Sequence, residues 1–160
     1  MDDNEWLIYL SERCRTLFFE TEFEALSTPE KVFVAIWLLE ADVNNGGFDQ
    51  YYLNSSGDHA QYAPEALRTI RARATAEIVE KANAAFGASG PPAHRHAQQV
   101  LMGTLPEGVA DVWEKCDQEF YAYPCDLTGL LAAYARDHIS EIRRGQKLPT
   151  RRERAWWKLK

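Results

Sequence analysis

Residues 44–58 form the most distinctive stretch of the chain, Asn44-Asn45-Gly46-Gly47-Phe48-Asp49-Gln50-Tyr51-Tyr52-Leu53-Asn54-Ser55-Ser56-Gly57-Asp58. Asparagine and glycine tolerate left-handed backbone, and glycine has a low helix propensity, so residues 44–47 are predicted to end a helix and reverse the chain sharply. Phe48, Tyr51 and Tyr52 follow at spacings i, i+3 and i+4, which places three rings on one side of a short helix. Residues 54–58 are then predicted to form a loop.

On the amino-terminal side of this stretch, residues 32–39 are eight consecutive apolar residues. A helix this apolar is buried on all sides, so we predict that it lies at the centre of a bundle. Thr28-Pro29-Glu30 is typical of a helix start, with the hydroxyl of Thr28 as N-cap, proline at the first helical position and an acid in the first turn. Pro29 and Glu30 disfavour a strand there.

The other long segments carry apolar stripes at the helical period, which predicts helices at residues 5–19, 63–86, 93–102, 109–120 and 126–145. The helix beginning at Ala63-Pro64-Glu65 should run for about six turns. Asp126 can cap the last helix, and Gly145 can end it. The stripe of the first helix consists of Leu7, Leu10, Cys14, Leu17 and Phe18.

No segment alternates apolar and polar residues over the length of a strand. The sequence therefore predicts an all-α fold, a single-domain multi-helix bundle with a central apolar helix. A chain of 160 residues that is 46% hydrophobic can bury a core without disulfides or metal. We expect a helical domain at residues 1–145 and a basic, tryptophan-containing C-terminal tail at residues 146–160.

The three cysteines, Cys14, Cys116 and Cys125, have no metal-type spacing and are an odd number, which favours a reducing compartment. The acidic amino terminus lacks a basic signal region, and no apolar run approaches the roughly 18 residues of a membrane span. We therefore expect a cytoplasmic protein without membrane contact.

Few residues are candidates for catalytic or metal chemistry. His94 and His96 are alternate residues, which on a regular helix point in different directions and cannot chelate one metal. His138 and Glu141 share a helix face, but they form only half of a di-iron motif, so a hydrogen-bonded core histidine is the favoured interpretation for His138. Known catalytic signatures are absent from the sequence. We predict no metal site, no cofactor and no catalytic residue.

The net charge of −6 is distributed unevenly. Residues 1–60 have a net charge of −9, residues 61–125 of −2 and residues 126–160 of +5. An acidic first third repels nucleic acid and attracts basic surfaces. The candidate acidic face consists of Glu20, Glu22, Glu24, Glu30, Glu40, Asp42, Asp49 and Asp58.

The stretch at residues 44–58 resembles the signature of a bacterial domain-of-unknown-function family that includes a described DNA-mimic protein. The resemblance extends over most of the chain, from the apolar helix at Val32 to the helix at residues 127–142. It implies an acidic α-helical protein, able to form a homodimer, that presents carboxylates in place of DNA phosphates to a transcription regulator. The motif residues that carry it are Asn44, Asn45, Gly46, Gly47, Phe48, Gln50, Tyr51, Tyr52, Asn54 and Gly57.

We therefore expect a non-enzymatic protein-binding module whose acidic N-terminal third binds a basic protein such as a DNA-binding regulator. One alternative is a small-ligand-binding protein or enzyme with a pocket near residues 44–58, where asparagine, glutamine and tyrosine groups could converge. The second alternative is nucleic-acid contact through the basic tail, with its tryptophans as stacking groups. That tail is favoured instead to pack on the body of the protein, which makes direct nucleic-acid binding the less favoured reading. The tail candidates are Arg143, Arg144, Lys147, Arg151, Arg152, Arg154, Trp156, Trp157 and Lys158.

Overall fold

The structure is a computed structural model that describes residues 1–13 and 22–142. Over these two ranges the chain forms eight α-helices that pack together and no strand, which confirms the predicted all-α fold. Two 3-10 helices, Phe23–Ala25 and Ser55–His59, connect them. The α-helices are α1 (Asp3–Arg13), α2 (Thr28–Leu53), α3 (Ala63–Thr69), α4 (Arg73–Ala84), α5 (Arg95–Met102), α6 (Gly108–Tyr121), α7 (Leu127–Asp137) and α8 (Ile139–Ile142).

Helix α2 begins in a capping box. The hydroxyl of Ser27 accepts a hydrogen bond from the backbone N–H of Glu30, and the Glu30 carboxylate accepts one from the N–H of Ser27 over 2.8 Å. Ser27 is therefore the N-cap, one residue before the predicted Thr28, because Ser27 is the residue with extended backbone. Caps of this kind typically stabilise a helix by about 0.5–2 kcal/mol.

The first half of α2 lies at the centre of the bundle, as predicted. It is surrounded because α2 contacts α3, α5, α6, α7 and α8. Most apolar residues of this half therefore contact a neighbouring helix instead of water, whereas Trp37 and Leu38 are only partly buried. Its buried side chains are Val32, Phe33, Val34, Ala35, Ile36 and Leu39.

Helix α2 kinks at Gly46 and Gly47, where the backbone leaves the helical region (φ −163°, ψ 21° and φ 76°, ψ −174°). The predicted helix end and sharp reversal are wrong in form, because Asn44 and Asn45 remain helical and the helix resumes directly after the kink. The second half of α2 carries Phe48 and other buried rings, and their burial holds it against the core. The predicted loop at residues 54–58 is largely the 3-10 helix Ser55–His59.

The single six-turn helix predicted from residue 63 is wrong, because α3 and α4 are separated at Arg71. Arg71 has φ 68°, and α3 ends in a Schellman motif. Its two bonds run from the N–H of Ala72 to the carbonyl of Leu67 over 2.8 Å and from the N–H of Arg71 to the carbonyl of Arg68 over 2.9 Å. This position usually carries glycine, so an arginine there does not predict a break.

The last described helices follow the prediction in part. Asp126 caps α7, accepting a hydrogen bond from the N–H of Gly129 over 3.0 Å. The helix ends earlier than predicted, at Asp137. His138 follows it half-exposed, with Nδ1 2.9 Å from Glu141 Oε1, so the prediction of a core histidine is wrong although its hydrogen bond is present.

Helix α1 packs on α7 and buries Leu7 and Leu10. The other members of its predicted stripe, Cys14, Leu17 and Phe18, lie outside the described residues, as do Gly145 and the tail at residues 146–160. No helix in the part of the chain that the structure describes is long and apolar enough to cross a membrane.

Candidate functional site

The carboxylate of Asp117 on α6 caps the second half of α2. The backbone N–H of Phe48 donates to Asp117 Oδ1 over 2.8 Å. Phe48 directly follows the non-helical glycines, so its N–H is one of those that a helix start leaves without an intrahelical partner. Gly47 allows the close approach, since a Cβ there would collide with the Asp117 carboxylate and its φ of 76° disfavours other residues.

Asp42 joins the two halves of α2 from the other side of the kink. Its carboxylate accepts hydrogen bonds from the side-chain amides of Asn54 at 2.9 Å and Gln50 at 3.5 Å, and from the hydroxyl of Ser56. Gln50 and Asn54 were candidates for lining a ligand pocket. Their amide groups instead bind a carboxylate within the motif.

The three rings of the motif, Phe48, Tyr51 and Tyr52, are fully buried. The Tyr52 hydroxyl donates to Asn83 Oδ1 over 2.7 Å, and its ring lies 5.1 Å from that of Trp113. The Tyr51 hydroxyl has no hydrogen-bond partner among the described residues. Burial raises the pKa of Tyr51 far above its usual value, and the charges of nearby aspartates raise it further.

Gly57 completes the motif by allowing a side chain to approach its backbone. The Gln98 amide on α5 donates to the Gly57 carbonyl over 2.7 Å. A Cβ on Gly57 would lie 2.7 Å from both Gln98 Oε1 and the Tyr51 carbonyl oxygen. The motif therefore acts mainly on the fold, while Asn44 and Asn45 remain exposed.

A cleft of about 330 Å³ lies beside the kink, between the second half of α2 and the segment from the end of α5 to α6. We call it the acidic cleft, because four carboxylates line it: Asp49, Glu107, Glu114 and Asp117. Its apolar lining includes Met102, Leu105, Val109 and Trp113. An apolar floor edged by carboxylates suits a partner with both apolar and basic side chains.

Like charges crowd the acidic cleft. Partial burial raises the pKa of Asp117, the hydrogen bond from Phe48 opposes that shift, and the charges of Asp49 and Glu114 raise the pKa further. An approaching cation would relieve this repulsion.

From the cleft, the acidic surface extends along the outside of α6 to Asp111. Glu107, Asp111 and Glu114 are exposed, follow one another at spacings of four and three residues, and have no ion pair with any described residue. Glu119 is different, because Lys81 on α4 pairs with it over 2.9 Å.

The acids predicted from the first third of the chain are divided between the surface and the interior. Glu22 and Asp49 are exposed, and so is Glu24, which pairs with Lys31 over 2.8 Å. Glu20 lies outside the described residues. Of these acids, the structure places Asp49 in the acidic cleft.

The remaining predicted acids are turned inward. Glu30 is 6% exposed and belongs to the capping box. Asp42 binds the motif side chains, and Asp58 is half-buried with one oxygen that has no partner among the described residues. Glu40 accepts a hydrogen bond from the hydroxyl of Tyr123 over 3.0 Å and lines a second pocket. The basic tail residues from Arg143 to Lys158 lie outside the described part of the chain.

No group of three or more potential metal ligands occurs among the residues of the two described ranges. Cys116 is buried, and burial raises the pKa of its thiol, while Cys125 is half-buried. The thiol of Cys116 therefore lacks the lowered pKa of a reactive thiolate.

The carboxylates of α6 and the role of Tyr123 were missed at the level of sequence. Residues 107–119 hold five acids and one lysine, but the average over residues 61–125 includes the arginines before and within α4 and conceals them. A shorter window would have revealed the acidic segment. The contact of Asp117 with Phe48 has no such signal, because it joins residues 69 apart.

No curated protein and no solved structure shows significant similarity to this chain. The sequence profile of a family described as DMP19-like protein matches residues 24–138, which include the kinked helix, the acidic cleft and helices α3 to α7. DMP19 is a described DNA-mimic protein. This match covers well over half of the chain, and the chain therefore belongs to the DMP19-like protein family.

Proposed function

We propose that this chain is a non-enzymatic protein-binding module that captures a basic protein, such as a DNA-binding regulator, in the manner of a DNA mimic. The observation that carries this proposal is the row of exposed carboxylates on α6 beside the acidic cleft. Family membership supports it, because a DNA mimic acts by binding a protein.

The spacing of the carboxylates on α6 can be compared with the spacing of phosphate charges on DNA. Glu107, Asp111 and Glu114 rise about 6 Å and about 4.5 Å apart along the helix axis. A single DNA strand carries one charge per roughly 3.4 Å, and the duplex one per roughly 1.7 Å. The α6 row thus approaches the charge density of one strand over a short distance. A local contact, with one recognition element of the partner, fits this density better than imitation of a long duplex.

The acids near the amino terminus extend the same proposal. Glu22 and Glu24 are exposed, although Lys31 pairs with Glu24, and together with Glu20 they belong to the acidic face that the sequence predicts for a partner. We propose that they form a second contact with the basic partner, while the acidic cleft receives its apolar and basic side chains.

The test is capture from native lysate with the immobilised full chain, followed by mass spectrometry and by competition with a DNA duplex. We expect a DNA-binding protein to be retained, to be released by 0.5 M salt at roughly a 4 Å screening length, and to be displaced by its own DNA site. The variant Glu107→Gln, Asp111→Asn, Glu114→Gln should lose it.

The matched control removes three exposed carboxylates from elsewhere, Glu12→Gln, Glu65→Gln and Glu77→Gln. This control should retain the partner. If the captured protein survives both the salt wash and the α6 variant, or if DNA fails to displace it, charge mimicry is not the basis of binding.

A further inference from the structure

The second pocket lies where α1 and α2 meet the turn between α6 and α7, and its volume is about 390 Å³. This size is within the range of small-ligand sites. It shares no lining residue with the acidic cleft, so the two sites can be altered separately. The residues that define it are Leu7, Ile8, Trp37, Glu40, Asn44 and Tyr123.

The hydrogen bonds inside this pocket have one consistent direction. The Tyr123 hydroxyl lies 3.0 Å from Glu40 Oε1 and 2.6 Å from Asn44 Nδ2. An ionised carboxylate can only accept, so the hydroxyl donates to Glu40 and accepts from the amide N–H of Asn44. Glu40 Oε2 and the side-chain oxygen of Asn44 are both acceptors, and neither has a hydrogen bond to another residue of the described ranges. A ligand must therefore supply the donors.

The surroundings of Glu40 favour a donor that is also positively charged. Partial burial raises the pKa of Glu40, and the negative charge of Asp126 raises this pKa further. The hydrogen bond from Tyr123 acts in the opposite direction. Among the described residues, Glu40 has no ion pair. A cation would stabilise this carboxylate more strongly here than in open water, because the apolar walls lower the local dielectric.

The walls fit the uncharged part of such a ligand. Leu7, Ile8 and Trp37 give the pocket aliphatic and aromatic surface, and Ile8 remains 44% exposed. Aliphatic stems of long basic groups pack on surfaces of this kind, and indole rings attract cations.

The turn that ends α6 positions Tyr123. Tyr123 has φ 47°, the left-handed conformation common at the residue after a helix C-cap, and its N–H donates to the carbonyl of Phe120 over 2.9 Å. Its side chain is 42% exposed, and its hydroxyl lies between Glu40 and Asn44. The end of the helix therefore presents the hydroxyl to the pocket.

We propose that this pocket binds a guanidinium or ammonium group carried on an apolar stem, with the charge on Glu40 and the stem against Leu7, Ile8 and Trp37. Such a group occurs on free small amines and on the arginine side chains of proteins. Binding here does not depend on the acidic cleft.

The test is an NMR titration of the ¹⁵N-labelled full chain with argininamide and, separately, with citrullinamide, both acetylated at the α-amino group, so that the neutral urea of citrullinamide replaces the single cationic group. Argininamide should shift the Trp37 indole N–H and the backbone amides of Leu7 and Ile8, saturating at a Kd on the order of 1 mM, as expected for so small a ligand. Citrullinamide should bind at least tenfold more weakly.

Two variants and one control sharpen the assignment. Glu40→Gln should weaken argininamide binding at least tenfold, and Tyr123→Phe should weaken it less because the charge remains. Glu77→Gln removes an exposed carboxylate on α4 and should change nothing. A blocked Ala-Arg-Ala peptide that binds more tightly than argininamide would assign the site to protein side chains, and the reverse order would assign it to a free small molecule.

Equal binding of the two amides by the unaltered chain would overturn the proposal, and this comparison needs no variant to fold. Unchanged binding to a folded Glu40→Gln variant, or shifts confined to α6, would overturn it as well. None of these results would affect partner capture by the acidic cleft.

Discussion

The carboxylate of Asp117 accepts a hydrogen bond from the backbone N–H of Phe48, a residue 69 positions earlier in the chain. The same carboxylate lines the acidic cleft. The group that fixes the kinked helix α2 is therefore part of the surface proposed to meet a partner. Stability at the kink and charge in the cleft are coupled through one side chain.

Replacing Gly47 with alanine should destabilise the protein through two effects. A residue with a side chain is strained at φ 76°, by about 1–3 kcal/mol, and its Cβ would collide with Asp117. Gly87→Ala is the matched control, because Gly87 has φ 96° and open space around its Cβ position. Thermal unfolding should show the larger loss for Gly47→Ala. Equal losses of stability would mean that the Asp117 carboxylate does not collide with a side chain at position 47.

At neutral pH, Asp117→Asn should leave the free energy of unfolding unchanged or raise it, whereas Asp117→Ala should lower it. The raised pKa of Asp117 means that the folded state binds its proton more tightly than the unfolded state, so ionisation as pH rises costs stability. Asparagine can keep the bond to Phe48 without the charge, and this variant should be as stable as the wild type or more so at pH 7. Alanine removes the cap and should cost about 0.5–2 kcal/mol.

The pH dependence checks the same argument. The advantage of Asp117→Asn should shrink as pH falls through the raised pKa of Asp117 and vanish below the usual value of 3.8, where both states are protonated. Urea unfolding at a series of pH values measures it. An advantage that grows toward acid would show that the carboxylate is stabilising when charged.

Tyr51→Phe and Tyr52→Phe make a matched pair on adjacent buried rings. The Tyr52 hydroxyl donates to Asn83. Removing this hydroxyl leaves the half-buried oxygen of Asn83 without this donor and should lower the free energy of unfolding by about 1–3 kcal/mol. The Tyr51 hydroxyl has no partner among the described residues, so its removal should be neutral or stabilising. Denaturant unfolding compares them. A larger loss for Tyr51→Phe would reveal a partner for its hydroxyl.

The two acidic regions should contribute separately to partner affinity. Each exposed ion pair contributes roughly 0.2–1 kcal/mol, so replacing Glu20, Glu22 and Glu24 with glutamine should weaken binding by roughly tenfold. The α6 triple variant should have an effect at least as large, since its carboxylates border the cleft. Both variants should keep the melting temperature and flatten the salt dependence of the Kd. If neither triple variant changes the Kd, the acidic surfaces do not bind the partner.

The local sequence pattern was sufficient to predict the helices that depend on burial and capping. The apolar run at residues 32–39 predicted a central helix because only a helix surrounded on all sides can bury every face. Asp126 predicted a cap correctly, since a cap is a contact between residues three apart. A break at residues 44–47 was predicted from propensity, although the structure has a kink there and not a helix end, and the clustering of the three motif rings was predicted from their spacing.

The tertiary structure determined the features that join distant parts of the chain. The helix resumes after Gly47 because Asp117 supplies its cap and the buried rings hold it in place. The chain breaks at Arg71 because packing overrides the usual preference for glycine in the left-handed region. Helix packing likewise brings Asp49 into one cleft with carboxylates of α6, and it brings Glu40 into contact with Tyr123. Charge counted along the chain cannot show which carboxylates share a surface, because helix packing brings together residues that are distant in sequence.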